Sequence, residues 1–374
     1  MQLGSMFISN CNNACVIIYN KDYSSKVNDC LDNNNFHKLP KDPTDKYQKN
    51  IIHTLKYCNL IIPTRQVKHL IQKKPLPPSL NALIKIHKPD NPIRPVVNNT
   101  NAPTYKIAKL LVNKLHEHLQ LKYHYNVKDS VSLASDLTKL IINEHHRMIT
   151  FDIKDLYVNI PIPETFAITK QLVSEHNEEK ITTQILMLLE TVLHQNYLSF
   201  QNNTYQPEKG VSMGSPISNT VAEIFLQYLE NTHLKHILES KQIIFYTRYV
   251  DDILMIYHTR HTSPETIHQH INKIHSNLQF TLSHENNNSL NFLDLHLIRQ
   301  PDKIEIDIFR KPTTTDTTIN FSSNHPNEHK MAAYRYLTNR MTSLPLTADR
   351  EETEWQKILT IAKNNNFPAH LKHN

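Results

Sequence analysis

Glycine is nearly missing from this chain, with three residues in 374 against an ordinary share of about 7%. Gly4 stands near the N-terminus, and the other two, Gly210 and Gly214, lie within one short stretch. Turns must therefore be made by Asn, Asp and Pro. The two internal glycines are left for places where backbone passes close to something or takes positive φ, a plain loop being the bland version of the same need. Cysteine is also scarce: Cys11, Cys15, Cys30 and Cys58 are all N-terminal. No His or Cys pair follows Cys11 and Cys15 at finger spacing, which argues against a zinc site and for reduced thiols in a cytosolic or nuclear protein. No apolar run approaches the roughly 20 residues of a membrane-spanning helix. No signal peptide and no internal repeat is read, so an intracellular chain with no membrane partner is expected.

Charge narrows the partners only a little. Lys and Arg outnumber Asp and Glu, 41 to 35, giving a net charge of +6, and 24 His add to this in acid. Basic clusters at Lys68–Lys74, Lys85–Lys88 and Lys106–Lys114 are interleaved with apolar residues. Such runs are usually solvated faces. They suit a phosphate backbone without requiring one.

The chemistry is concentrated in three segments. Phe245-Tyr-Thr-Arg-Tyr-Val-Asp-Asp-Ile-Leu-Met-Ile-Tyr257 sets two adjacent carboxylates in an apolar, β-prone run, read as a hairpin with Val250, Asp251 and Asp252 at or beside the turn. Alone, this is equally well a hydrophilic turn. About a hundred residues upstream, Thr150-Phe-Asp-Ile-Lys-Asp-Leu-Tyr-Val-Asn-Ile-Pro161 is a second β-prone stretch with an acid at Asp152, closed by Pro161 and Pro163. Alone, Asp152 is a strand-end acid capping a turn. If the two segments pair, Asp152 and Asp251 converge, and carboxylates from separate strands holding two cations roughly 3.5–4 Å apart are the machinery of polymerases and nucleases. Between them, Lys209-Gly-Val-Ser-Met-Gly-Ser-Pro-Ile-Ser-Asn219 leads into a run with Val221, Ile224, Phe225, Tyr228 and Leu229 at helical spacing. A glycine turn opening a helix suits a phosphate or a nucleotide face.

In this order, Phe-Asp-Ile-Lys-Asp-Leu-Tyr, Gly-Val-Ser-Met-Gly-Ser-Pro-Ile-Ser and Tyr-Val-Asp-Asp resemble the A, B and C motifs of reverse transcriptases. The flanks resemble those of Penelope-like retroelements: Leu83–Pro89 with Pro92–Val97 is similar to that family's fingers signature, Asn291–Leu295 to its post-palm motif, and Phe309–Asp316 with Ser323–Lys330 to the start of its thumb region. The likeness runs from about residue 20 onward. Met213 departs from the Gln that many reverse transcriptases carry beside the glycine, and reads as a subfamily trait. No GIY-YIG endonuclease like that of many relatives is read after Ile361–Pro368, so cleavage of a genomic target is not assigned to this chain.

The resemblance implies an RNA-directed DNA polymerase that uses an RNA template, a DNA primer and dNTPs, with two Mg²⁺ ions (Mn²⁺ as a substitute), acting in the nucleus or the cytoplasm. Asp152, Asp251 and Asp252 match the catalytic carboxylates, with Asp251 the better direct ligand and Asp252 more electrostatic. The Ile153 carbonyl would complete the metal site. Lys85 and Arg94 match fingers residues that hold the triphosphate, a role that suits a compact charge and a planar donor fork. Asp155, Met213 and Gly214 fall with the dNTP site, and Tyr157 where an aromatic under the sugar rejects a ribose 2′-OH. Read as an ordinary residue, Tyr157 is a half-buried core aromatic. Phe292, Leu293 and Asp294 match the template and primer contacts. A catalytically silent nucleic-acid-binding remnant is the alternative, and a DNA-templated polymerase or nuclease with a similar palm is a third reading.

The expected fold is α+β, a right-hand polymerase with fingers, a palm with an antiparallel sheet, and a helical thumb, preceded by a mostly helical N-terminal extension. Residues 1–75 are read as the extension with its first ~20 outside the fold, 76–150 as fingers, 151–310 as palm with some fingers elements interleaved, and 311–374 as thumb. Helices are expected within 44–73 (broken at Pro63), 102–121, 128–147, 163–176, 181–193, 220–229, 264–278, 328–342 and 351–363. A hairpin is expected around Asn202-Asn203, with strands at 280–283 and within 295–309.

Overall fold

A computed structural model describes residues 4–8, 15–86, 90–119, 121 and 124–368. Cys11 and the fingers-motif residues His87, Lys88 and Pro89 lie outside the described residues. The chain divides into two compact units, Met1–Tyr123 with Lys154–Lys235 and Ile274–Gln279, and His124–Ile153 with His236–Lys273 and Phe280–Asn374. These units cut across the contiguous segments expected from sequence: residues 124–150 of the expected fingers fall in the second unit, and 154–235 of the expected palm in the first.

The first unit joins helices to a five-stranded sheet ordered Phe36–Lys38, Asn203–Pro207, Leu198–Phe200, Ser79–Ile84, Ile93–Asn98. The helix Tyr105–Leu119 buries Ile107, Ala108, Leu111, Leu115 and Leu119, one stripe at helical spacing. The helices Thr44–Tyr57 and Thr64–Leu70 flank Pro63, as the break there predicts. Sheet and helix meet in a core of Val27, Leu31, Leu80, Ala82, Val97, Leu198 and Phe200. The strands at Gly4–Ile8 and Cys15–Tyr19 pair antiparallel, although the first residues were expected to lie outside the fold; Val-Ile-Ile is a β-branched run that favours a strand. The hairpin turn is Gln201–Asn202, both at positive φ, one residue before the expected position.

The second unit carries the antiparallel sheet Phe280–His284, His146–Ile153, Asp252–His258, Ile243–Tyr249 and a three-stranded sheet Ser289–Phe292, Leu295–Arg299, Ile304–Ile308. Met148, Leu254 and Ile256 pack with Leu133 and Leu137 of the helix Ser130–Leu137 and with Leu295, Leu297, Ile304 and Ile306. The helices Asn327–Ser343 and Ala348–Asn364 close on their own core of Tyr334, Met341, Ile358, Ile361 and Phe367.

Two expected helices are shorter. The one expected over 128–147 is Ser130–Leu137, and the chain is a strand again from His146. Asp129 caps its start by accepting from the Ser132 N–H at 2.8 Å, and strand pairing claims the residues that follow. The helix expected over 264–278 stops at Ile271. There Asn272 turns its side chain to the strand, accepting from the Phe280 N–H at 2.9 Å and donating to its carbonyl at 3.2 Å.

Candidate active site

In the second unit, the strands His146–Ile153 and Asp252–His258 pair with Asp152 directly opposite Asp252, Thr150 opposite Leu254, and Met148 opposite Ile256. Because side chains alternate along a strand, both carboxylates share the face that carries Met148, Leu254 and Ile256 into the core. They stand at its strand-end edge, where each is partly exposed. Asp251 lies in the two-residue connection Val250-Asp251, closed by Tyr249 opposite Asp252. Its carbonyl accepts from the Ile153 N–H at 3.0 Å, which ties the hairpin tip to the Asp152 strand. Val250 holds φ at +57°, a costly conformation for a β-branched residue, and such outliers collect at functional sites. The expected pairing of the two motif strands is thus present.

Like charges directly opposite across a strand pair oppose folding, and a cation between them reverses the sign. The donors are hard oxygens, the set that suits Mg²⁺ or Mn²⁺. Among the described residues no three His, Cys, Asp or Glu form a cluster able to hold a metal ion by themselves. Mg²⁺ binds through one or two carboxylates, waters and substrate phosphates rather than a dedicated protein cage. The residues present fit a divalent ion shared with substrate.

The first unit gathers the residues expected at the nucleotide. The register sets Arg94 opposite Leu83, and the Lys85 N–H donates to the Pro92 carbonyl at 2.9 Å. Leu80, Ala82 and Ile84 are buried on one face, so Leu83, Lys85 and Arg94 share the other. Beyond the metal-motif strand, Asp155 takes φ +48° and opens the short helix Leu156–Asn159. Burial pushes the Cys30 thiol up, the Asp155 carboxylate pushes it the same way and Lys85 opposes, so all three groups are within electrostatic reach. Tyr157, half-buried, donates its hydroxyl to Asn219 Oδ1 at 2.6 Å. Asn219 opens the helix Ser218–Leu229.

The two internal glycines hold this arrangement together. Gly210 has φ +78°, and a Cβ there would lie 2.5 Å from the Val158 backbone; Gly214 has φ +112°, and a Cβ would lie 2.4 Å from the Val97 carbonyl oxygen. Val211 N–H donates to the Tyr157 carbonyl at 2.7 Å, and Val97 N–H to the Met213 carbonyl at 2.7 Å. The glycine loop is therefore clamped between the Tyr157 turn and the Arg94 strand. Both sequence arguments for glycine, positive φ and close approach, apply at once.

The post-palm residues are placed differently from their expected role as contacts. Phe292 is buried in the core of the second unit, with Leu293 packed against it. Leu293 takes φ +55° in a two-residue turn. Asp294 pairs with Arg340 at 3.6 Å and accepts from the Ser130 hydroxyl. Burial in the core accounts for Phe292, whereas Leu293 and Asp294 stay partly exposed at the turn. Asn219 went unnoticed as a partner of Tyr157; its signal was a polar residue at the start of the glycine-loop helix.

The fold is that of a right-hand polymerase. Residues 86–288, more than half of the chain, match the family model for reverse transcriptase (RNA-dependent DNA polymerase), and the chain belongs to that family. Residues 317–374 match a second model, the animal helix-turn-helix domain. Among solved structures the chain is similar to a telomerase from Candida albicans in complex with a TWJ fragment of telomeric RNA, with TM-score 0.59 and 15% identity over 97% of this chain and 63% of that one. It is also similar to a Candida tropicalis telomerase in complex with a TWJ fragment, with TM-score 0.60 and 12% identity over 98% and 62%. The chain thus spans under two thirds of these telomerases, and at such identity the likeness is one of fold. No curated protein matches it. Reverse-transcriptase domains generally use divalent metals.

Proposed function

We propose that this chain is the RNA-directed DNA polymerase of a Penelope-like retroelement. The observation that carries the chemistry is the in-register pair Asp152 and Asp252, with Asp251 at the adjoining hairpin tip. The motif order and the flanking fingers, post-palm and thumb signatures support the Penelope-like assignment.

In this reading Asp152, Asp251, Asp252 and the Ile153 carbonyl would hold two Mg²⁺ ions, which when bound would lower the pKa of the primer 3′-OH and neutralise charge on the leaving pyrophosphate. Mn²⁺ serves in their place. Lys85 and Arg94 hold the triphosphate, and Asp155, Met213 and Gly214 shape the dNTP site. Tyr157 presents its ring to the sugar, oriented by Asn219, and rejects a ribose 2′-OH. Leu293 and Asp294 set the hairpin beside the template and primer. The C-terminal helix pair grips the duplex as a thumb, through A-form shape and backbone. Most of the rate comes from positioning and charge neutralisation. Synthesis primed at a genomic target places the protein in the nucleus.

The competing reading is a catalytically silent nucleic-acid-binding remnant. Three intact carboxylates disfavour it, since a decaying copy has no reason to spare them. Primer extension on a defined RNA template with dNTPs and Mg²⁺, run beside Asp251→Asn, decides. Extension by wild type alone supports the polymerase; no extension by either, with RNA binding intact, supports the remnant. A DNA template used in preference to RNA would support the third reading.

A further inference from the structure

Arg248 is 1% exposed and is the bulkiest fully buried side chain among the described residues. Enclosing a guanidinium is costly unless its donors are matched to acceptors. Its partners include the hairpin tip: Nη1 donates to the Val250 carbonyl at 3.2 Å, and Nη2 to Asn126 Oδ1 at 3.3 Å. The backbone joins the same segment, with the Arg248 N–H donating to the Tyr125 carbonyl at 2.8 Å and the Arg248 carbonyl accepting from Val127 N–H at 3.1 Å. Asn126 forms a parallel bridge with Arg248, and Tyr125 meets Tyr246 edge-on at 5.4 Å.

The carbonyl that Arg248 grips belongs to the central peptide of the Val250-Asp251 turn. The orientation of that peptide, set by ψ of Val250 and φ of Asp251, distinguishes one turn type from another, and it follows a Val250 held at φ +57°. The next carbonyl, of Asp251, is held by the Ile153 N–H. Arg248 on one side and Ile153 on the other thus fix consecutive peptides, and with them the direction of the Asp251 side chain. A planar fork can reach Val250 and Asn126 together, whereas a lysine ammonium offers one point.

We infer that Arg248, braced by Asn126, is a positioning residue that locks the strained tip and presents Asp251 to a divalent cation. This rests on the polymerase reading for its catalytic meaning, though not for its geometry. The alternative is that Arg248 only staples the Tyr125–Val127 segment to the sheet.

The test is Mn²⁺ binding by the full chain, followed by electron paramagnetic resonance, for wild type, Arg248→Lys, Asn126→Ala and Asn126→Asp, with circular dichroism to confirm folding. Arg248→Lys and Asn126→Ala are expected to lose about 10-fold in Mn²⁺ affinity, the usual effect of removing a group that orients a metal ligand. Asn126→Asp, which keeps an acceptor oxygen, regains affinity over Asn126→Ala. In primer extension kcat falls while the dNTP KM holds. Unchanged Mn²⁺ affinity in the folded Arg248→Lys and Asn126→Ala variants overturns the inference, as does a wild type that binds no Mn²⁺. If Arg248→Lys does not fold, Asn126→Ala decides alone. Wild type that binds Mn²⁺ but extends no primer defeats the polymerase reading, while the loss of affinity in the variants still supports the positioning role.

Discussion

Asp152 and Asp252 are direct cross-strand partners in the central pair of a four-stranded antiparallel sheet. Two carboxylates so placed repel one another, at a cost of up to about 1 kcal/mol. Folding tolerates that cost at the strand ends, where both side chains are partly exposed, and a cation would remove it. A bound cation is therefore expected to stabilise the fold, a thermodynamic signature that precedes any catalysis.

Asp252→Asn is expected to shrink the rise in melting temperature on adding Mg²⁺. Asp251→Asn is expected to abolish nucleotide incorporation and to shrink the same Mg²⁺-dependent rise. Differential scanning calorimetry with and without Mg²⁺ reads the melting shifts, and primer extension reads incorporation. Equal Mg²⁺ stabilisation of wild type and Asp252→Asn would remove Asp252 from the metal site.

Tyr157 offers a way to separate ring from hydroxyl. Tyr157→Phe loses the bond to Asn219 Oδ1 but keeps the ring, so sugar discrimination should persist with a modest loss of rate. Tyr157→Ala removes the ring, and ribonucleotide incorporation relative to deoxyribonucleotide should rise by about 10-fold or more, since rejection here depends on shape. Single-nucleotide extension with paired dNTP and rNTP series measures the ratio. If it stays put in Tyr157→Ala, the gate lies elsewhere.

The glycine loop gives a stability prediction that does not depend on the polymerase assignment, and a kinetic one that does. Ala at position 214 would need φ +112° and a Cβ 2.4 Å from the Val97 carbonyl oxygen. Gly214→Ala should therefore destabilise the protein by more than about 1 kcal/mol. It should also raise the dNTP KM, because the same clamp carries Met213 and the Arg94 strand. Urea denaturation reads the first effect and steady-state extension the second. A neutral Gly214→Ala would mean that the loop relaxes away from Val97.

How far these features were legible in the sequence differs by element. The carboxylate hairpin and its partner strand were readable because apolar β-branched residues flank the acids on both sides, and a strand's period of two leaves few registers that bury one face. The glycine loop was readable by contrast, since a chain that puts Asn35, Asn202, Asn287 and Asn288 at positive φ has little other need of glycine. Helix lengths were less legible. Asn272 stops a helix by bonding to Phe280, eight residues on, and periodicity holds no trace of that partner. The burial of Phe292 is hidden for a similar reason: a motif names residues that matter without saying whether they matter by touching substrate or by packing. Arg248 stands out in the sequence as a charge inside an apolar strand, but its acceptors include Asn126 and Val250, and only the fold brings Asn126 there.

The last prediction concerns pH. His146 meets His258 at 5.2 Å between ring centres, and His258 meets His261 at 4.5 Å. Burial pulls the His146 imidazole below its ordinary 6.5, with His258 and His145 adding to the effect. Desolvation lowers His258 in the same direction, followed by His261, His145 and Arg260. Groups depressed in the folded state hold fewer protons there than in the unfolded chain, so stability rises with pH through the window between the two values. The contribution is complete above about pH 6.5 and is lost as pH falls from there towards the folded values. Melting temperature should therefore decline between about pH 7 and pH 5, and His258→Gln should flatten the decline by removing one titrating partner and its repulsion on His146. A series of melts in constant ionic strength checks this. An equal slope in wild type and His258→Gln would show that the acid sensitivity comes from other groups.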